Sequence, residues 1–282
     1  MKPNFIGVGG MKCATTWISE CLRAHPEVFL SNNKEVHYFS KLEYKGEKWY
    51  FNHFKNSSEY KAIGEFSTSY LDNYNVAEKI KKKLGNIKII ISLRNPIDRF
   101  LSHYKHVYRN ESNHDNMNVE SITLEQFNNV VKTYPELLEK GLYYNQVKKY
   151  IETFGRENVC IIIKEELDKE PQKEIQRLYK YLEIDSNYLP TIIDKKVSLG
   201  TIPKYYILEK ARVKIYKIMK INAPWVIVLV RKIRLAEFYR KINSVKSDIE
   251  LQKNVRSKLN EYYHMDISKL EGLIGKSLIE WK

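Results

Sequence analysis

The chain has 282 residues, 43% of them hydrophobic, and carries 48 Lys and Arg against 34 Asp and Glu, for a formal net charge of +14. This composition supplies ample material for a large core and excludes the disordered, collagen-like and integral membrane classes. The basic excess implies an anionic partner, be it a nucleotide, an acidic glycan, a nucleic acid or a membrane surface, because summed surface charge concentrates counter-charged ligands.

The segment Phe5-Ile6-Gly7-Val8 reads as a short buried strand with no secretory leader before it, since glycines follow four apolar residues. The longest uncharged apolar run, Ala223 to Val230, is far below the ~20 residues needed to span a bilayer. These features predict a soluble, cytoplasmic protein. Cys13, Cys21 and Cys160 show no metal-type spacing, so three buried small side chains in a reducing compartment are expected rather than a disulfide scaffold or a zinc site.

After the first strand, Gly9-Gly10-Met11-Lys12-Cys13-Ala14-Thr15-Thr16 leads into a helix with Trp17, Ile18, Cys21 and Leu22 on one face. Successive backbone N–H groups and a helix N-terminus then converge on one spot, with Lys12 as a point charge and Thr15 and Thr16 as hydroxyl donors, which makes an anion site. The order departs from G-x-x-x-x-G-K-[ST], in which Lys directly precedes the hydroxyl residue, so a magnesium-held triphosphate is disfavoured.

Further strands are expected at Ile87 to Leu93 and Val159 to Ile163, with Pro96 opening a helix after the first of them and a helix from Tyr143 to Phe154 before the second. Continuous β-branched runs between helices predict an α/β fold, a central parallel sheet flanked by helices in three layers. Beyond about residue 195 the strand signal stops and helical spacing dominates. One domain over 1–282 is expected, with a sheet core at 1–194 and a basic, mainly helical part at 195–282.

Two pairs of motifs carry a family resemblance. Gly-x-x-x-Lys-x-x-Thr-Thr after the first strand, and Leu93-Arg94-Asn95-Pro96 with Ser102 eight residues beyond Arg94, resemble the phosphate-binding motifs of sulfotransferases that use 3′-phosphoadenosine 5′-phosphosulfate (PAPS). Lys34-Glu35-Val36-His37-Tyr38-Phe39 resembles the Lys-Glu-x-x-x-Phe element of glycan-modifying and bacterial members, and Gly64-Glu65-Phe66-Ser67-Thr68-Ser69-Tyr70 an acceptor-side segment, with Ser or Thr where Pro is usual. Gly141 to Gln146, Glu166-Leu167, Gly275 and Trp281 extend the likeness over most of the chain.

The resemblance implies a PAPS-dependent sulfotransferase that needs no metal. Gly10, Met11, Lys12, Cys13, Ala14, Thr15, Thr16 and Trp17 would hold the 5′-phosphosulfate; Arg94 and Ser102, with Lys196, Ser198 and Lys204, the 3′-phosphate. Glu35 would be the general base, Lys12 and Lys34 would neutralise charge, and His37 is the alternative base, its ordinary pKa of ~6.5 suiting the task. Two residues apart, Glu35 and His37 share a side only if the segment is extended. Glu65, Ser67 and Tyr70 would contact the acceptor, a hydroxyl or less readily an amine of a saccharide or other small or lipid-linked molecule. Ala14 stands where Gly is common, which requires a negative φ. Arg99 reads as a solvated helix position.

Thirteen basic and two acidic residues fall between 195 and 245, beside the apolar run Ala223–Val230, and this predicts peripheral contact with an anionic membrane through 204–234. The rival readings are a P-loop kinase, which lacks its Gly-Lys-Thr order and magnesium aspartate, and a non-catalytic binder of anionic glycan. No aromatic stacking motif for RNA is present, so no nucleic-acid partner is expected.

Overall fold

The structure is a computed structural model and describes residues 1–110, 121–193, 201–203, 205, 208, 211, 212, 214–216, 218, 219, 239, 242–246 and 249–282. Its strands are β1 (Phe5–Gly9), β2 (Val28–Leu30), β3 (Ala62–Phe66), β4 (Lys88–Leu93), β5 (Ser121–Ile122), β6 (Val159–Ile163), β7 (Thr201–Pro203), β8 (Ser244–Lys246) and β9 (Glu250–Leu251). The helices used below are α1 (Thr15–Ala24), α2 (Gly46–Phe51), α3 (Val76–Leu84), α4 (Pro96–Asn110), α5 (Leu124–Thr133), α6 (Glu136–Glu139), α7 (Tyr143–Phe154), α8 (Lys164–Lys169), α9 (Pro171–Leu182) and a C-terminal helix, Lys253–Ile274.

Two compact units are formed, Met1–Phe100 with Tyr134–Val197 and Ser257–Lys282, and Leu101–Thr133 with Ser198–Arg256. In the first, five strands make one parallel sheet in the order β2-β3-β1-β4-β6. The middle strands are buried on both faces, which is why Ile89–Ile91 of β4 and the whole of β6 read as continuous apolar runs rather than alternating ones. On one face Trp17, Ile18, Cys21 and Leu22 of α1 meet Ile175, Leu178 and Tyr179 of α9 over Phe5, Phe66, Ile90 and Ile162. On the other lie α7, packed on β4 and β6, and α3, packed on α7. The three-layer arrangement is the expected one, and the three cysteines are free and buried.

β2 and β3 went unread in the sequence. β2 has only three residues, and β3 carries Gly64 and a charged Glu65 inside a strand buried along its whole length. Because the chain runs out from β1 to β2 and then crosses β1 on the way from β3 to β4, the direction of winding reverses at β1. Ligands of open parallel sheets bind outside the C-terminal strand ends at such a reversal.

In the second unit, β5 pairs with β9 in parallel and β7 with β8 in antiparallel. These strands were not expected in the mainly helical part beyond 195: runs of two or three residues are too short to show a period-2 pattern. α5 begins with a capping box, the Gln126 N–H donating to Thr123 Oγ1 at 3.2 Å and the Thr123 N–H to Gln126 Oε1 at 3.0 Å. Residues 257–282, expected with the C-terminal part, belong to the first unit. The basic stretch 204–234 lies largely outside the described residues, and among the described residues no helix is long and apolar enough to cross a membrane.

Candidate functional site

The C-terminal ends of β1, β2, β3 and β4 lead into the segments 10–14, 31–37, 67–70 and 94–95, which hold most of the polar and charged groups singled out in the sequence. The loop after β1 is tied to β4 from both sides. Gly10 N–H donates to the Ser92 carbonyl at 2.6 Å, and Ser92 Oγ donates to the Cys13 carbonyl. Lys12 (φ 68°) and Ala14 (φ 64°) both adopt the left-handed conformation. The negative φ required for Ala14 is therefore not met, and this position carries backbone strain that glycine would lack.

Ala14 is also the N-cap of α1 and offers no side-chain cap, and no acidic residue stands in the first turn. Its carbonyl accepts the Ile18 N–H at 3.1 Å, so the N–H groups of Thr15, Thr16 and Trp17 precede the helical ladder. Those donors and the positive end of the helix dipole suit an anion. Thr16 is exposed and Lys12 half-buried, whereas the Trp17 side chain enters the core and Cys13 Sγ turns inward, 3.8 Å from the Tyr143 hydroxyl. Cys13 and Trp17 can thus serve a ligand only through their backbone. Burial pushes the Cys13 thiol up to about 11.

The corner after β4 is braced from three directions. The Tyr143 hydroxyl donates to the Arg94 carbonyl at 3.0 Å. Glu165, just after β6, accepts the Asn95 N–H through Oε1 at 3.0 Å and the Trp281 indole N–H through Oε2 at 3.2 Å. Asn95 Oδ1 in turn accepts the Ile97 N–H at 2.9 Å and caps α4, with Pro96 at its first position. Arg94 Nη2 lies 3.7 Å from Asp98 Oδ2, while its buried Nε has no partner. An orphaned guanidinium N–H here matches an anionic ligand. Arg99, expected to be solvated, is wholly buried and donates to the Leu137 carbonyl. Ser102 is half-buried on α4 in the second unit, and Lys196, Ser198 and Lys204 lie outside the described residues.

After β2 the backbone is neither extended nor helical. Glu35 (φ 64°) and His37 (φ 56°) are both left-handed, and their side chains converge, with His37 Nε2 3.7 Å from Glu35 Oε2. The two-residue offset therefore does not separate them. Thr68 N–H donates to Glu35 Oε2 at 2.8 Å and Lys34 Nζ to Oε1 at 3.0 Å. His37 Nδ1 shares a 2.7 Å hydrogen bond with Ser69 Oγ. Burial lowers the His37 pKa, opposed by the neighbouring Glu35 carboxylate.

Glu65, Ser67 and Tyr70 expose no surface, so the acceptor contact expected of them does not fit their position. Glu65 accepts hydrogen bonds from Ser67 Oγ at 2.7 Å, Tyr70 OH at 2.9 Å and Tyr50 OH at 3.2 Å. Burial pushes its carboxyl up to about 7 against these hydroxyl donors. Sequence reasoning missed Ser92, Thr68, Tyr143 and Glu165 as supports; Thr68 and Tyr143 stood in quoted motifs, but their partners are distant in sequence.

The profile of the sulfotransferase domain matches residues 2–269. Among curated proteins, "Membrane-associated sulfotransferase kil1" of Dictyostelium discoideum is 38% identical over 105 residues, 36% of this chain and 22% of that one. A bifunctional heparan sulfate N-deacetylase/N-sulfotransferase 1 of Caenorhabditis briggsae is 28% identical over 64% of this chain and 23% of its own length. Heparan sulfate glucosamine 3-O-sulfotransferase 5 of Mus musculus is 27% identical over 64% of this chain and 54% of that one. The chain spans about a quarter to a half of the length of these relatives. Among solved structures, a sulfotransferase from Alicyclobacillus acidocaldarius aligns over 100% of this chain and 99% of its own with a TM-score of 0.70 at 22% identity, a likeness of fold.

Proposed function

Because the chain belongs to the sulfotransferase family, we propose that it moves a sulfuryl group from PAPS to a hydroxyl, or less readily an amine, of a saccharide or other small or lipid-linked acceptor. The observation that carries this reading is the pairing, at the C-terminal ends of the neighbouring strands β1 and β4, of an uncapped helix N-terminus beside Lys12 with a corner whose Arg94 Nε lacks a partner. Two separated anion sites suit a nucleotide phosphorylated at both ends. The heparan sulfate enzymes among the relatives support a saccharide acceptor.

PAPS, when bound, supplies the sulfuryl group. The N–H groups of Thr15, Thr16 and Trp17 and the Lys12 ammonium would hold the 5′-phosphosulfate, and Arg94 the 3′-phosphate, a part that the family resemblance also gives to Ser102. Lys12 neutralises charge where the leaving phosphate develops it, the kind of fixed electrostatic contact that contributes most to such transfers. Glu35, oriented by Thr68, accepts the acceptor hydroxyl proton through a carboxylate oxygen, and Lys34 steadies that carboxylate. Beyond the sheet unit, the exposed side chains of Leu208, Ile215 and Ile218 and the surrounding lysines support peripheral contact with an anionic membrane.

The test follows release of 3′,5′-adenosine bisphosphate from PAPS across a panel of hydroxyl and amine saccharides, with calorimetry of the bisphosphate. Turnover with at least one acceptor supports the reading; no binding of the bisphosphate overturns it.

A further inference from the structure

We propose that buried Glu65 is a positioning residue that sets the shape of the Glu35–Phe39 segment by fixing the protons of two hydroxyls. Glu65 is wholly buried and meets Ser67 and Tyr70 as an acceptor. An ionised carboxylate can only accept, and each hydroxyl has one proton to give. Ser67 spends its proton on Glu65 Oε2 at 2.7 Å, which leaves its oxygen to accept the His37 N–H at 2.9 Å. Tyr70 spends its proton on Oε1 at 2.9 Å and accepts the Phe39 N–H at 3.4 Å. Tyr50, from α2, is a third donor, to Oε1 at 3.2 Å.

One carboxylate thus dictates the direction of two hydrogen bonds that hold backbone N–H groups of the segment carrying Glu35 and His37. That segment needs holding. Its two left-handed residues are conformations that non-glycine side chains adopt only when the surroundings over-determine them. Ser67 is a firm anchor, since its own N–H donates to the Gly7 carbonyl of the central strand at 2.9 Å. The chain of bonds β1–Ser67–His37 references the candidate base to the middle of the sheet.

A glutamine at 65 would keep the shape and bring two donors. Whichever hydroxyl meets its NH2 can no longer donate to residue 65 and must redirect its proton, which turns its lone pairs and weakens its bond to the His37 or the Phe39 N–H. Because the inference rests on the proposed sulfuryl transfer for its kinetic arm, the test has a second arm that does not. At pH 8, Glu65→Gln is expected to lower kcat at least roughly tenfold through misplacement of the base, with the dissociation constant of the adenosine bisphosphate kept within about twofold. In the free protein the amides of His37 or Phe39 should exchange with solvent roughly tenfold faster, while those of β1 and β4 keep their protection. Ser67→Ala, which removes one hydroxyl and leaves the tyrosines on Glu65, should speed exchange at His37 alone, and Ser67→Thr should restore it. An unchanged kcat in Glu65→Gln, or wild-type protection at both amides, overturns the inference; should Glu65→Gln fail to fold, exchange at His37 in Ser67→Ala decides it. A wild-type protein without turnover would sink the proposed activity, and the exchange arm would still decide the role of Glu65.

Discussion

The Thr68 backbone N–H donates to Glu35 Oε2 at 2.8 Å, and the Thr68 hydroxyl reaches the same oxygen at 3.0 Å and Oε1 at 3.2 Å. The end of β3 therefore clamps the carboxylate offered by the end of β2. Thr68→Val keeps the N–H and the side-chain shape but deletes the hydroxyl. We expect kcat for sulfuryl transfer to fall about three- to tenfold, with bisphosphate affinity unchanged, the size of one ordinary hydrogen bond, because the Thr68 N–H still holds the carboxylate. Glu35→Gln should cost roughly 10²–10⁴ in kcat with the same affinity, the range for a general base. Weakened bisphosphate binding at unchanged rate would take Glu35 out of that role.

Lys12 and Arg94 should separate kinetically. Lys12→Ala is expected to lower kcat by roughly 10²–10³, the usual loss for one preorganised donor at a developing charge. Arg94→Ala should chiefly weaken the bisphosphate, by about ten- to a hundredfold, because a charge-assisted bond is lost in ground and transition states alike. Calorimetry and initial rates on the two variants check the split.

Ala14→Gly is expected to stabilise the protein. A left-handed alanine costs about 1–2 kcal/mol, and glycine gives back part of the gain through its freer unfolded chain, leaving roughly 0.5–1 kcal/mol. A higher urea midpoint at unchanged slope is the expected result.

Stability should carry a pH signature from Glu65. Its folded pKa, about 7, stands above the ordinary 4.5, so the folded state holds the proton more tightly than the unfolded one. The associated stability is fully present below about pH 4.5 and is lost as pH rises through 7, an effect of roughly 3 kcal/mol. His37, lowered by burial, acts in the opposite sense: its contribution is present above its ordinary value and is lost as pH falls. Subtracting the unfolding free energy of Glu65→Gln from that of the wild type between pH 4 and 8 isolates the first effect, and a flat difference would contradict it.

The sheet was legible in the sequence where strands are buried on both faces. Ile89-Ile90-Ile91 and Cys160-Ile161-Ile162 announce themselves because nothing polar can sit there unpaired. β3 was not, because Glu65 sits within it, tolerated through hydroxyls from Ser67, Tyr70 and Tyr50 whose convergence no local pattern reveals. The positions of Lys12 and Arg94, in the loop after β1 and at the corner after β4, were legible because a clear strand precedes each. Arg99 was misread because its helical spacing does not disclose the Leu137 carbonyl beside it. The convergence of Glu35 and His37 was equally hidden, since it depends on two left-handed residues that the side-chain order does not encode.

The Arg94–Asn95 corner is held through Glu165 by Trp281, an indole buried to 2% exposure. During synthesis the strands from β1 to β6 emerge long before that indole does, and the sheet can assemble on the ribosome in the order in which it is made. The corner cannot be completed until the polypeptide has been extended to Trp281. Nascent protein short of that point would hold a formed Lys12 loop beside an unfinished Arg94 corner, so the two corners of the sheet would mature at different times during synthesis.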